Sequence, residues 1–477
     1  MNLHFSFLVA YLLTLLFVSL LASRQIKTQE DFSVAGRSLN TFVLFGTLLA
    51  TWIGTGSIFG NAEKTYRVGI AAVIIPAAAM AGICILYLLA GRARGLRGIT
   101  IQDLLEKRYN AGARVLGSIC LIIAYTTIVS YQYRAAGAIL NLTLPDLPVT
   151  WATFLISVFI AFYTCTAGMV SIAKIGVIQG ITMIAGIAIA LPVLFLKAGG
   201  LEGMAATLPP SHFDLLGPIP FWESIGILLP SFLLILGDAN MYQRFFSARN
   251  EGTAKKAVLW MLFGVAFMEI GIIVTAWVAS SLEPNLAIHG RVIAFAAKNH
   301  LPDLLGAFML TTIMAIVLST AGSYLLAPAT CLVRDIYQRF INTNASERAL
   351  VLMLRLSVLT LGAIAYLLSL ASDEFLEIAL LAYTIYGAGI TPALIASFYW
   401  RRATSAGAMA SILSGTMVTL FWHMFQQQLG PLGQIHAVVP AIMASVSTLL
   451  IVSLLTDTED PAKTNPFFAE SDSKRRV

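Results

Sequence analysis

Charge is scarce in this sequence. Asp, Glu, Lys and Arg make up only 11% of its 477 residues, while 58% are hydrophobic. A soluble globular chain is usually about a quarter charged, so a water-soluble fold is excluded and a polytopic membrane protein is left. Cysteine is scarce too. Cys84, Cys120, Cys165 and Cys331 sit in or beside apolar runs with no CxxC spacing, which argues against a disulfide framework or a metal site. None of the six histidines is paired at i, i+4, so zinc chemistry has no support. There is no nucleophile–base set, nucleotide-binding loop or repeated filter sequence, so neither an enzyme nor a channel is expected.

What is present is a series of long apolar runs. Stretches able to span a bilayer, which takes about 20 residues, lie at roughly 5–23, 40–61, 69–91, 115–140, 149–165, 168–197, 221–242, 257–280, 303–332, 349–371, 374–398, 406–424 and 437–455. These thirteen runs predict an all-α membrane protein with its termini on opposite sides. The first lacks a basic n-region and reads as a membrane helix, not a signal peptide. With the N-terminus outside, the inner segments carry 24 of the 30 Lys and Arg residues and the outer ones five (Lys64, Arg67, Lys197, Arg291, Lys298), with Arg134 inside a run. Basic residues are retained on the inner side, so the N-terminus is expected outside and the C-terminus inside, in a plasma membrane of bacterial inner-membrane type. A single transmembrane domain over 1–455 is expected. The tail 456–477, "TDTEDPAKTNPFFAESDSKRRV", reads as a solvated, disordered end too short for an output domain. "LAIHGRVIAFAAKNHL" is patterned as a short surface helix or partial lid.

Two runs carry breakers at their centres. In "ATWIGTGSIFG", residues 50–60, glycines stand at 54, 56 and 60 among β-branched residues. Each glycine costs a helix about 0.5–1 kcal/mol relative to alanine. In "ESIGILLPSFLLILGDANMYQRFF", Pro230 and Gly237-Asp238 interrupt the run. The two broken runs are the second and the seventh, each opening a set of five, the pattern of an inverted-repeat transporter (repeats about 40–197 and 221–398). Unwinding in lipid is tolerated only where the freed carbonyls face protein or a cavity, and such carbonyls are hard ligands for a small cation. In "TTIMAIVLSTAGSYLLAPATCLVRD", the Ile316 carbonyl and the Ser319 and Thr320 hydroxyls share a helix face by their i, i+3, i+4 spacing. The bland reading is a Ser/Thr pair bonded to its own helix.

Several ordered blocks resemble the sodium:solute symporter family: "EDFSVAGRSLNTFVLFGTLLATWIGTGSIFG", "YTCTAGMVSIAKIGVIQG", "GDANMYQRFFSARNEGTAKKA", "LSTAGSYLLAPATCLVRDIYQ" and "AYTIYGAGITPALIASFYWRRATSAGAMASI". The resemblance runs from about residue 30 to 415. It implies a LeuT-type 5+5 inverted repeat with one additional helix before it and two after. It also implies that Na⁺ is the coupling ion, bound by the carbonyls of Ala50, Ile53 and Ile316 and the hydroxyls of Ser319 and Thr320. No organic cofactor, nucleic acid or obligate protein partner is expected beyond the solute, Na⁺ and the bilayer. Two departures matter. Gly176 stands where many members have Asp, and Gly322-Ser323 where some have paired serines, so a second sodium site is not expected. Lys174, two residues before Gly176, reads as an inner-surface anchor. The sharper reading is an amine replacing the cation, in a proton-coupled or ion-independent transporter.

Ionisable residues inside a membrane mark function by default, and Arg134, Asp238 and Glu269 are the candidates. Glu269 reads as a structural salt bridge or a protonated carboxyl, and Arg134 is balanced between a structural role and a role in the site. Asp238, in the second break, is expected to face a central cavity and receive a substrate ammonium group. Trp52, Ser57, Tyr131 and Gln132 complete the expected solute site, since aromatic faces attract organic cations. The first break is similar to the choline-transporter version of the family, but Asp238 replaces the aromatic expected there. An amine or amino acid is therefore the expected solute, with a carboxylate or vitamin-like solute the alternative.

Overall fold

The structure, a computed structural model, describes residues 3–215, 221–370 and 375–474, and every regular element among them is helical. Among the described residues, twelve helices are long and apolar enough to cross a membrane, one fewer than the thirteen runs expected. The difference arises at the second run, which is split. Thr41–Trp52 is an apolar helix of only 12 residues, and the chain beyond the break continues as Gly56–Asn61 and Ala62–Val68 towards Ile75–Gly95. Large apolar side chains such as Leu13, Phe17, Phe263 and Leu367 are exposed on the periphery, as a lipid-facing surface requires.

Asp303–Cys331 forms the centre of the molecule, and every residue from Met309 to Cys331 is buried. It packs against Ala111–Thr143 and Val149–Lys197. The last helix is two spans joined at Gly168, whose φ of +50° is left-handed. A Cβ there would lie 2.5 Å from the Phe32 carbonyl oxygen, so only glycine permits both the bend and the approach. Near the C-terminus, Ser405–Phe425 and Val438–Leu455 are joined by Ser411–Ser445 and Ser414–Thr448 hydrogen bonds, each 2.8 Å. Small hydroxyl residues let apolar helices approach closely and supply polar links between them.

Near the start of Ala111–Thr143, Arg114 binds three carboxylates. Its guanidinium reaches Asp103 at 2.6 Å, Asp335 at 2.9 Å, and Glu106. Burial opposes ionisation of Glu106, yet hydrogen bonds from Arg339 and Arg114 outweigh it and hold the carboxyl below its ordinary range. The tail departs from the disordered end expected. Pro461–Lys474 is helical, and Phe467 and Phe468 are buried. Phe467 packs edge-on against Phe398 at 5.6 Å, Arg92 donates to the Phe467 carbonyl at 2.6 Å, and Arg401 lies 4.6 Å from the Phe468 ring centre. Two aromatic residues in a polar stretch thus supply the apolar contact that composition alone obscured. The 289–300 segment is the short helix anticipated, with Val292–His300 burying Val292, Ile293 and Ala296.

Candidate cation and solute site

Asn40 caps the first half-helix by accepting from the Val43 N–H at 3.0 Å, and the helix runs to Trp52. At Ile53 the backbone turns extended (φ −72°, ψ 107°), and helical geometry resumes at Thr55. A Cβ on Gly54 would lie 2.7 Å from Thr320 Oγ1, so the close approach of the central helix depends on glycine there. Unwinding leaves carbonyls without their helical donors. Neighbours take them over: the Ser319 hydroxyl donates to the Ala50 carbonyl at 2.6 Å, and Thr320 Oγ1 lies 3.0 Å from the Ile53 carbonyl and 3.3 Å from that of Thr51. The Ile316 carbonyl is 2.7 Å from Ser319 Oγ and 3.3 Å from Thr320 Oγ1.

All five oxygens expected at the cation site therefore converge, and Thr51 adds a sixth. The two hydroxyls carry one proton each, which cannot satisfy every short oxygen–oxygen approach at once. Such a cluster, rich in lone pairs and poor in protons, suits a hard cation that prefers neutral oxygen ligands. On its far side the break is held by Gln132, whose Oε1 accepts from the Thr55 N–H at 3.2 Å and from the Thr55 hydroxyl.

Where a second cation's ligands were considered, a fixed positive charge is found. Arg244 is fully buried and donates to Ser323 Oγ at 2.8 Å and Thr47 Oγ1 at 3.2 Å, and Gly176 lies against Thr47. Lys174 is exposed, its Nζ donating to Gln25 at 3.0 Å.

A cavity of about 40 Å³ opens beside the first break, lined in part by Trp52, Ser57, Asn61, Ser231, Glu269 and Tyr383. A water needs about 10–15 Å³ on this measure, so a whole organic solute fits only after the walls move. Trp52 and Ser57 reach this cavity as expected. Tyr131 stands one layer behind, its hydroxyl 3.3 Å from that of Tyr383, and Gln132 is committed to Thr55.

Asp238 does not reach the cavity. It caps Ala239–Ser247, accepting from the Asn240 and Met241 N–H groups at 2.7 and 3.3 Å, and its carboxylate also receives the Tyr125 and Tyr324 hydroxyls at 3.0 and 2.5 Å. Where a solute-facing carboxylate was expected, the second half-helix claims Asp238 as its N-cap.

Glu269 is the carboxyl that lines this cavity. It is buried, its two oxygens accept from Ser57 Oγ at 2.6 Å and Asn61 Nδ2 at 2.8 Å, and among the described residues it makes no ion pair, which was one of the two roles expected of it. The sequence held one usable signal: Ser57 and Asn61 are spaced i, i+4 just beyond the break. Their meeting with Glu269 across 212 and 208 residues was not legible.

The family model described as "Sodium:solute symporter family" matches residues 32–415. Among curated proteins, the osmoregulated proline transporter OpuE of Bacillus subtilis is 24% identical over 472 residues, covering 95% of this chain and 94% of its own length. The sodium/pantothenate symporter of Escherichia coli is 25% identical over 465 residues, covering 93% and 95%. Among solved structures, a Na⁺-coupled sialic acid symporter in a substrate-bound, outward-open state gives a TM-score of 0.82 at 18% identity, covering 96% of this chain and 99% of that one. A nucleobase-cation-symport-1 family transporter in a closed conformation gives 0.62 at 13%, covering 91% and 97%. At these identities the structural likeness is one of fold, and that fold is the LeuT-like one.

Proposed function

From this chain's membership of the sodium:solute symporter family, we propose that it imports a small polar organic solute together with Na⁺, and that the ion is held by the carbonyls of Ala50, Ile53 and Ile316 and the hydroxyls of Ser319 and Thr320. The observation that carries this reading is the convergence of those oxygens on a break that only Gly54 allows to pack so closely. Na⁺ replaces protons as the partner of the surplus lone pairs. Binding it fastens Thr41–Trp52 to the central helix, which links ion occupancy to the cavity wall at Trp52. Release of the ion loosens that joint, and movement of the bundle about the midplane alternates access. The charge bias of the loops supports an N-terminus outside and a C-terminus in the cytoplasm, in a plasma membrane of bacterial inner-membrane type. The repeats are 40–197 and 221–398 within a domain spanning 1–455.

The test is uptake by proteoliposomes of L-proline and pantothenate, with an inward Na⁺ gradient and then with a proton gradient alone. Na⁺-driven uptake is expected, and the S319A/T320A variant should lose its Na⁺ stimulation by about tenfold or more, the equivalent of roughly 1.4 kcal/mol of lost ion binding. Sodium dependence unchanged in that variant would falsify the ligand assignment.

A further inference from the structure

Glu269 presents a charge problem that the cation site leaves unsolved. It lies mid-way along Glu251–Leu282, buried, and none of the five oxygens assigned to Na⁺ belongs to it. Both of its oxygens are acceptors: Oε1 takes the Ser57 hydroxyl at 2.6 Å and Oε2 the Asn61 amide at 2.8 Å. Asn61 can only donate and the Ser57 hydroxyl is free to do so, a pair of neutral partners that suits a carboxylate. Ser57 and Asn61 also lie in the first turns of the half-helix beginning at Gly56, whose positive end favours a negative charge. Among the described residues, Glu269 makes no ion pair, and no Lys, Arg or His lines its cavity. A buried carboxylate with two neutral donors and no counter-charge is costly in a low-dielectric interior. Each of its oxygens keeps a further lone pair directed away from its donor.

The rest of the lining indicates what completes it. Trp52 and Tyr383 bring aromatic rings to the same cavity, and ring faces attract cations. The 40 Å³ of space holds about three waters on the measure that gives one water 10–15 Å³, so the carboxyl and the rings stand close around whatever enters. We propose that the cavity beside the first break recognises solutes bearing a positively charged nitrogen, with the Glu269 carboxylate, set by Ser57 and Asn61, as counter-charge and Trp52 and Tyr383 as the aromatic walls.

This rests on the cavity being the solute site of the symporter proposed above, and the experiment separates the two. Purified protein in detergent is heated with Na⁺ alone, then with Na⁺ plus a probe, and the unfolding temperature is followed. The probes are L-proline, glycine betaine, choline and putrescine, together with two partners lacking the charged nitrogen, cyclopentanecarboxylate for proline and 3,3-dimethyl-1-butanol for choline. The Na⁺ shift reads the ion site, and the further probe shift reads this proposal. At least one cationic-nitrogen probe should stabilise the wild type, and if it is proline or choline, its partner without the charged nitrogen should be weaker by about tenfold or more in apparent affinity. E269Q should lose the probe shift while keeping the Na⁺ shift, which also reports that it folds, and E269D should retain part of it. A probe bound no better than its partner without the charged nitrogen overturns the proposal, whatever E269Q does. So does an E269Q protein that binds as the wild type does, because Glu269 would then act as a proton site or a structural group. A wild type stabilised by none of the four probes overturns it as well.

Discussion

The two broken helices begin alike and are resolved in opposite ways. Each is a run interrupted at glycine with helix on either side, yet the first break stays open to its neighbours' oxygens while the second closes upon itself. At Ile53-Gly54 the freed carbonyls meet hydroxyls from a different helix, and the chain supplies no charge of its own. At Gly237-Asp238 the carboxylate caps the following half-helix, two tyrosine hydroxyls complete its shell, and Thr391 Oγ1 donates to the Leu233 carbonyl at 2.7 Å. The second break carries a carboxylate of its own that caps the helix it opens, so it reads as structural. The first leaves neutral carbonyls shared between two hydroxyls, oxygens that can be given over to an ion. The position of a breaker therefore says where a site can be, and the source of its partners says whether one is.

The largest expected effect is on the open break. S319A/T320A removes both side-chain ligands, and Na⁺-dependent uptake should disappear while the purified protein keeps its helical circular-dichroism spectrum. On the closed break, Asp238→Ala should act through stability. Loss of the cap costs about 1 kcal/mol and each stranded tyrosine hydroxyl about 1–3 kcal/mol, so thermal unfolding in detergent should shift strongly downward. If Asp238→Ala instead raised only the solute KM at unchanged stability, the contrast between the breaks would collapse. Gly54→Ala comes next. Its new methyl group would press on Thr320 Oγ1 at 2.7 Å and Gln132 Nε2 at 3.1 Å, an overpacking of roughly 1–3 kcal/mol that should appear as weaker half-saturation by Na⁺. The smallest effect belongs to Lys174→Ala. An exposed side chain bonded to Gln25 contributes about 0.5 kcal/mol or less, so the ion dependence of uptake should be unchanged. A variant that newly required, or no longer required, Na⁺ would make Lys174 part of the coupling.

Much of the fold was legible because membrane helices must satisfy their backbones internally and keep their apolar faces outward. Run length and loop charge therefore carried the topology. The second run was counted as one span because its composition is apolar throughout, whereas Gly54 and its neighbours divide it into pieces of which the first is too short to cross alone. The cluster of oxygens proposed for the cation was legible because its spacing is local: Ile316, Ser319 and Thr320 share one helical face. The solute site was only half legible. Trp52 and Ser57 belong to the break itself, but the choice between Asp238 and Glu269 depends on which helix end lies within reach, and that is set by packing across more than 200 residues. Asp238 carried the stronger local signal, a carboxylate at a break, and that signal is also the one that makes a good N-cap. The tail was misread for a related reason, since Phe467 and Phe468 are only two residues in a polar stretch and their partners lie far away in the chain.

That tail contact has a consequence for the order of assembly. Arg92 donates to the carbonyls of Phe398 at 2.8 Å and of Phe467 at 2.6 Å, partners 306 and 375 residues further along the chain. During synthesis the guanidinium must wait, solvated, until both of these distant segments have been made. Only then can Pro461–Lys474 dock against Phe398. This face is thus closed by a latch made long after the helix it fastens, and a protease acting on unfinished molecules would find it unsealed.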